Sequence, residues 1–318
     1  MEWRMIRFLM WKTNGHSPTL PYRVAEIGDI DAPPLTDALR PAPQGRPPPW
    51  ELGVTGARLI LNGFPKAGLH LAERFVLPLM RAFLVENWIG VVEQHGWSTR
   101  IKPDISRTLE LVRWLDSGTF VKGHLPYHSD LAAEMERGHI GMVLVIRDLR
   151  DVACSIKRHL EKPPRAHWVH PGRDEFMTLP EGEARLLAVI NGFGEYPGMM
   201  ERWRGYARWL ERPYVLPLQY EFMMECPRWA YELIARFIVG LGFPVNGLTV
   251  QMVRADVDRH WVLVERFLAD PSRSATYVQG RVGAWREEFT PSVRQAFDDT
   301  GGSEWLVRLG YEQTAEWE

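Results

Sequence analysis

Between an apolar run, Arg58-Leu59-Ile60-Leu61-Asn62, and a stretch with helical spacing lies Gly63-Phe64-Pro65-Lys66-Ala67-Gly68-Leu69-His70. Strand, glycine-flanked turn and helix together make an anion-binding arrangement. A helix N-terminus has unpaired backbone N–H groups and a partial positive charge. Gly68 lets the backbone approach a ligand closely, and Lys66 adds a full charge. Gly63 and Gly68 keep the spacing of the nucleoside-triphosphate loop, but Leu69-His70 stands where that loop has Lys-Ser/Thr. The hydroxyl that would hold magnesium is missing, so an ATPase or kinase is disfavoured. Taken alone, the segment reads equally well as a strand–turn–helix with a surface lysine.

Two further segments carry chemistry. Phe120-Val121-Lys122-Gly123-His124-Leu125-Pro126 ends a second apolar run with a lysine and a histidine. Imidazole titrates near neutral pH and can exchange protons there. His124 and His128 are four apart, the spacing of a zinc pair on a helix. Pro126 lies between them and the accompanying Glu is absent, which rejects zinc. The third segment is Val145-Ile146-Arg147-Asp148-Leu149-Arg150-Asp151-Val152-Ala153-Cys154-Ser155. A guanidinium fork suits phosphate oxygens and a serine hydroxyl adds a short donor. Asp148, Arg150 and Asp151 read as ion pairs lacing a helix start. Ser155 has no Gly-x-Ser-x-Gly context and is not read as an acyl-transfer nucleophile.

The elements that must position these residues alternate. Short apolar runs at Arg58–Asn62, Thr119–Lys122, Met142–Ile146 and Tyr214–Leu218 read as buried strands. Helical spacing follows the first at Leu71, Phe75, Leu79 and Phe83, with Pro78 expected to kink it. It follows the third through Ile156, and the fourth through Ile234, Phe237, Ile238 and Leu241. This predicts an α/β fold, a central parallel sheet flanked by helices on both faces. Ligands in such sheets bind beyond the carboxyl ends of the strands, where these charged segments fall.

Composition sets the outer bounds. The 318 residues carry a net charge of −2, so no overall basic field draws the chain to nucleic acid. The two cysteines, Cys154 and Cys226, lack any paired spacing, which disfavours a disulfide framework and fits a reducing, cytoplasmic setting. Met1 to Lys12 does not read as a signal peptide, and no stretch reads as a membrane span. Ala32 to Trp50 is crowded with proline and reads as a linker. Residues 1–50 are thus an N-terminal extension and 51–318 the main domain. The extension's role stays open between covering a sheet edge, lidding a pocket and pairing two subunits in a homodimer.

The first segment resembles the 5′-phosphosulfate loop of sulfotransferases that use 3′-phosphoadenosine 5′-phosphosulfate (PAPS), usually Tyr-Pro-Lys-Ser-Gly-Thr-Thr-Trp. Pro65, Lys66 and Gly68 match, while Ala67, Leu69, His70 and Leu71 depart. Lys122-Gly123-His124-Leu125-Pro126 resembles the family's Lys-Thr-His-Leu-Pro, and Arg147 to Ser155 its 3′-phosphate segment. Gln219-Tyr220-Glu221 is similar to the Tyr-Glu after a family strand, where the tyrosine lies near adenine. Gly280-Arg281-Val282-Gly283-Ala284-Trp285 is similar to the late Arg-Lys-Gly-x-x-Gly-Asp-Trp, with Val278-Gln279 in place of Arg-Lys. Leu309-Gly310-Tyr311 is also family-like. The order is the family's.

The resemblance implies a P-loop-like sulfotransferase fold and transfer of a sulfuryl group to an acceptor hydroxyl of a small molecule or natural product. Adenosine 3′,5′-bisphosphate (PAP) is then the product, and no metal, nucleic acid or membrane is implied. His124 takes the place of the general base. Lys66 and Lys122 take places beside the transferring group. Pro65, Lys66, Ala67, Gly68, Leu69 and His70 line the 5′ end, Arg147 and Ser155 the 3′-phosphate, Tyr220 the adenine, and Gly280 with Arg281 the closing segment. Residues 161–210, with His167, Trp168, His170, Trp203 and Trp209, fit the acceptor side, though Trp203 and Trp209 read equally as core. A catalytically silent nucleotide-binding protein of this fold is the second reading, and a P-loop kinase the third.

Overall fold

The run opening the sheet forms strand β1 (Arg58–Gly63), whose Leu59, Ile60 and Leu61 are fully buried. Apolar side chains pointing to both faces are what a strand covered on both sides requires. The computed structural model describes residues 58–83, 93–94, 105–113, 115, 120–162, 172–241, 250–269 and 281–317. The extension and linker at residues 1–50 lie outside them, as do His167, Trp168, His170 and Gly280.

After β1 comes helix α1 (Leu69–Phe83), which includes Pro78, then strand β2 (Glu93–Gln94) and helix α2 (Ile105–Arg113). Strand β3 (Phe120–Gly123), helix α3 (Ser129–Arg137) and strand β4 (Ile140–Ile146) follow. Every residue of β4 is buried, as its unbroken apolar run demands. Helix α4 (Leu149–Glu161) starts at Asp148, whose side chain caps it by accepting the Arg150 N–H at 2.9 Å.

The acceptor-side segment then supplies helices α5 (Arg173–Thr178) and α6 (Glu183–Asn191). A small antiparallel pair follows, β5 (Gly192–Phe193) with β6 (Tyr196–Pro197), and then helix α7 (Met199–Ala207). Trp203 and Trp209 are buried core residues. Strand β7 (Val215–Gln219) leads into helices α8 (Tyr220–Glu225) and α9 (Pro227–Gly240). The helical stretch after the fourth predicted strand therefore comes in two pieces, because Pro227 has no N–H to carry the ladder through. Helices α10 (Val250–Ala269), α11 (Pro291–Asp299) and α12 (Gly302–Arg308) complete the described chain.

The five-stranded sheet has the order β2-β3-β1-β4-β7, and every pairing is parallel. The α/β expectation thus holds, with β2 added at the edge. The register decides where the site forms. Asn62 stands opposite Gly123, Gly63 opposite Val145, and Ile146 opposite Gln219. The carboxyl ends of β1, β3, β4 and β7 therefore finish side by side. The next residues of each, the loop from Phe64, His124, Arg147 and Tyr220, leave the sheet at one edge.

Candidate functional site

The turn between β1 and α1 is drawn tight by the Ala67 N–H donating to the Phe64 carbonyl at 3.0 Å. Leu71 and Ala72 N–H groups both donate to the Gly68 carbonyl, at 2.9 and 3.2 Å, and begin the helix. Two residues of the turn have positive φ, Lys66 at 71° and Gly68 at 105°. A lysine in that region costs on the order of 1 kcal/mol or more and persists where surrounding structure holds it. Gly68 is demanded twice over, since a Cβ there would lie 2.3 Å from Cδ2 of Tyr220. Ala67 and Leu69 are buried in the core, so what they offer a ligand is backbone. Pro65 and Lys66 are half-buried.

His70, the second residue of α1, has Nδ1 3.6 Å from Glu73 Oε2. The same oxygen accepts from Lys122 Nζ at 3.0 Å. Lys122 is 5% exposed, so its charge is held against Glu73, not in solvent. Burial pushes the Glu73 carboxyl up, but hydrogen bonds from His70 and Lys122 outweigh it and leave the group below its ordinary range.

His124, the first residue past β3, has Nδ1 2.6 Å from the Gly63 carbonyl. A carbonyl only accepts, so Nδ1 carries a proton, and in the neutral ring Nε2 then holds the lone pair. Next to it the Asn62 side chain bonds both the N–H and the carbonyl of Leu125. His128 caps α3, its Nδ1 accepting from the Asp130 N–H at 3.2 Å.

Arg147 leaves the end of β4 buried, with donors to the Lys66 carbonyl at 3.4 Å and the Arg281 carbonyl at 2.9 Å. Its guanidinium carbon lies 4.3 Å from the centre of the Tyr220 ring, and Asp151 Oδ2 is 3.8 Å away. Its Nε is buried with no hydrogen-bond partner among the described residues. Tyr220 therefore joins the loop, through Gly68, to Arg147.

Arg150 and Asp151 serve the fold, as the helix-start reading expects. Arg150 pairs with Asp148 at 2.7 Å and Glu312 at 2.7 Å, between the rings of Trp285 at 3.8 Å and Trp317 at 4.6 Å. Asp151 accepts the N–H groups of Gly283 at 2.7 Å and Trp285 at 3.0 Å, which pins the late segment onto α4. Burial raises the Asp151 carboxyl in spite of Arg147 and these donors. Ser155 is buried one turn beyond Asp151 on the same face of α4. The Arg281 side chain is turned to Glu287, at 2.5 and 3.2 Å, while its carbonyl meets Arg147.

Sequence reasoning did not pick out Asn62 or Glu73. Glu73 carried one signal, a carboxyl at i+3 from His70 on a helix start. Asn62 carried another, a lone amide ending an apolar strand.

Fold and site together bring a loop lysine, a buried arginine and a histidine to the carboxyl ends of a parallel sheet. The chain belongs to the sulfotransferase family, whose sulfotransferase domain description matches residues 57–309. Its fold is similar to that of mouse sulfotransferase SULT7A1 complexed with PAP, at 18% identity, 80% of this chain, 86% of that one and a TM-score of 0.53. Retinol dehydratase in complex with androsterone and inactive cofactor PAP is matched at 16% identity, 84% of each chain and a TM-score of 0.44. No curated protein sequence matches the chain.

Proposed function

We propose that the chain transfers a sulfuryl group from PAPS to the hydroxyl of a small-molecule or natural-product acceptor, with His124 as general base. The observation that carries this is the Nδ1–H bond from His124 to Gly63, which would make Nε2 the basic nitrogen of a neutral ring at the end of β3. The donor set fits the nucleotide: a close-approach glycine at Gly68, a positive-φ lysine at Lys66, and a buried guanidinium at Arg147 whose Nε has no partner among the described residues.

PAPS supplies the sulfuryl group, whose bond to the 5′-phosphate oxygen breaks as the acceptor oxygen bonds sulfur and PAP leaves. Lys66 and the backbone N–H groups of Ala67 to Leu69 would hold the 5′ end and stabilise charge growing on the bridging oxygen. Lys122, fixed by Glu73, would stand beside the sulfuryl oxygens. Arg147 and Ser155 would hold the 3′-phosphate, with Tyr220 flanking the nucleotide.

The test is calorimetric titration of PAP into wild type and Arg147→Ala without metal, followed by turnover of PAPS with an alcohol panel by wild type and His124→Ala. Tight wild-type binding, weakened in Arg147→Ala, and a turnover loss on the order of a hundredfold or more in His124→Ala are expected. No PAP binding by wild type would sink the reading. Binding without turnover on any acceptor would leave the silent nucleotide-binding protein instead.

A further inference from the structure

The bond from His124 to Gly63 is only as fixed as the two main-chain segments that carry it, and one side chain holds both. β1 and β3 pair in parallel as far as Asn62 opposite Gly123. There the backbone ladder stops, and His124 is the next residue out. Asn62 is 0% exposed. Its Oδ1 accepts the Leu125 N–H at 2.8 Å and the Gly63 N–H at 2.8 Å, and its Nδ2 donates to the Leu125 carbonyl at 2.9 Å. A side-chain amide that gives to and takes from one residue copies a peptide group. It adds one more rung to the β1–β3 ladder after the backbone has run out.

The rung is itself supported. Nδ2 also lies 3.5 Å from Met142 Sδ on β4, and Trp209 Nε1 donates to the same Leu125 carbonyl at 2.9 Å. Leu125 follows His124 directly, and Gly63 supplies the carbonyl that receives the imidazole proton. Both ends of that hydrogen bond are therefore tied to one buried amide, across 63 residues of sequence.

We propose that Asn62 is a positioning residue for His124: it fixes where the imidazole leaves the sheet and so keeps the ring in the Nδ1–H tautomer. Asn62 is fully buried, so it acts through the histidine. The kinetic consequence rests on His124 being the general base, whereas the tautomer does not. No other common side chain serves as well. Aspartate would turn an acceptor toward the Leu125 carbonyl, serine has no second group to span both bonds, and glutamine is one methylene too long.

The test uses the full chain with 15N-labelled histidine at mildly alkaline pH. His124 is assigned among the ten histidines by the signal lost in His124→Gln. Wild type should show the Nδ1–H tautomer, and Asn62→Ser a mixture with the Nε2–H form. Turnover in Asn62→Ser should fall on the order of tenfold to a hundredfold, the scale of a small misplacement of a catalytic group. PAP affinity should change by less than about twofold, since no phosphate-holding group is touched. An Nε2–H wild type, or an Asn62→Ser protein with unchanged tautomer and turnover, overturns the proposal. Should Asn62→Ser fail to fold, hydrogen exchange at the Leu125 N–H of wild type decides. Protection matching the β4 amides supports the rung, and free exchange removes it. Full turnover in His124→Ala would refute the general base while leaving the tautomer result to stand.

Discussion

Gly68→Ala separates two costs that the structure assigns to one atom. The backbone there has φ of +105°, where an L side chain is strained by about 1–3 kcal/mol. The added Cβ would also lie 2.3 Å from Tyr220 Cδ2, 3.0 Å from Cε2 and 3.3 Å from Cγ. Ring carbons cannot give way as a flexible chain end does, so overpacking adds about 1–3 kcal/mol more. The total, about 2–6 kcal/mol, is a large share of the roughly 5–15 kcal/mol that holds a domain folded. Removing the ring removes only the second cost. Urea denaturation of wild type, Gly68→Ala, Tyr220→Ala and the double variant should therefore give a favourable coupling of about 1–3 kcal/mol. Tyr220 also lies against Arg147, so displacing its ring in Gly68→Ala should weaken PAP binding as well. Additive effects to within about 0.5 kcal/mol would mean that the ring does not rest on Gly68. A single-variant cost below about 1 kcal/mol would refute the positive-φ turn itself.

Two other perturbations test the support beneath the site. Burial pushes the Glu221 carboxyl from 4.5 up to about 7, against hydrogen bonds from the Tyr311 hydroxyl and the Asp148 N–H. A raised folded-state value means that its stabilisation is complete below the unfolded value and is lost as pH rises through about 7, a swing of about 3 kcal/mol. Glu221→Gln should flatten melting temperature against pH over that window, and an unchanged slope would contradict it. Arg150 is 2% exposed and paired with Asp148 and Glu312, so Arg150→Ala should cost about 3–5 kcal/mol in denaturant titration by stranding carboxylates. A cost under about 1 kcal/mol would place Arg150 in solvent.

Strands β1, β3, β4 and β7 were legible because each is an apolar run with both faces covered, a property of the segment itself. β2 was not, since two residues, Glu93 and Gln94, carry no run to read. The helix break at Pro227 was readable from the missing N–H, yet periodicity through Ile234 and Leu241 ran over it. Within the site, residue types pointed to Lys66, His124 and Arg147, but not to what holds them. Asn62 and Leu125 are 63 positions apart, and Lys122 and Glu73 are 49. Those pairings follow from which strands neighbour one another and in what register, which no local window contains. Arg281 shows the same limit. A charge beside Gly280 reads as a phosphate contact, whereas its direction, toward Glu287, depends on a turn fixed by Asp151 from α4.

The three cations Lys122, Arg147 and Arg281 are each matched by a carboxylate, but the matches differ in kind. Lys122 and Glu73 are 5% and 16% exposed, and Arg147 and Asp151 are 9% and 1%. Charges so far from water are held in place by their partners and by hydrogen bonds, and moving either costs desolvated Coulomb energy. Arg281 and Glu287 are 52% and 60% exposed, a pair worth about 0–1 kcal/mol at most. The exposed pair can therefore break for an incoming phosphate at little cost, while the buried pairs cannot. On the proposed reading, the site would be rigid where Lys122 and Arg147 stand and adaptable at Arg281. That division suits a transferase, which must hold charge still around the reacting group yet open to release a charged product.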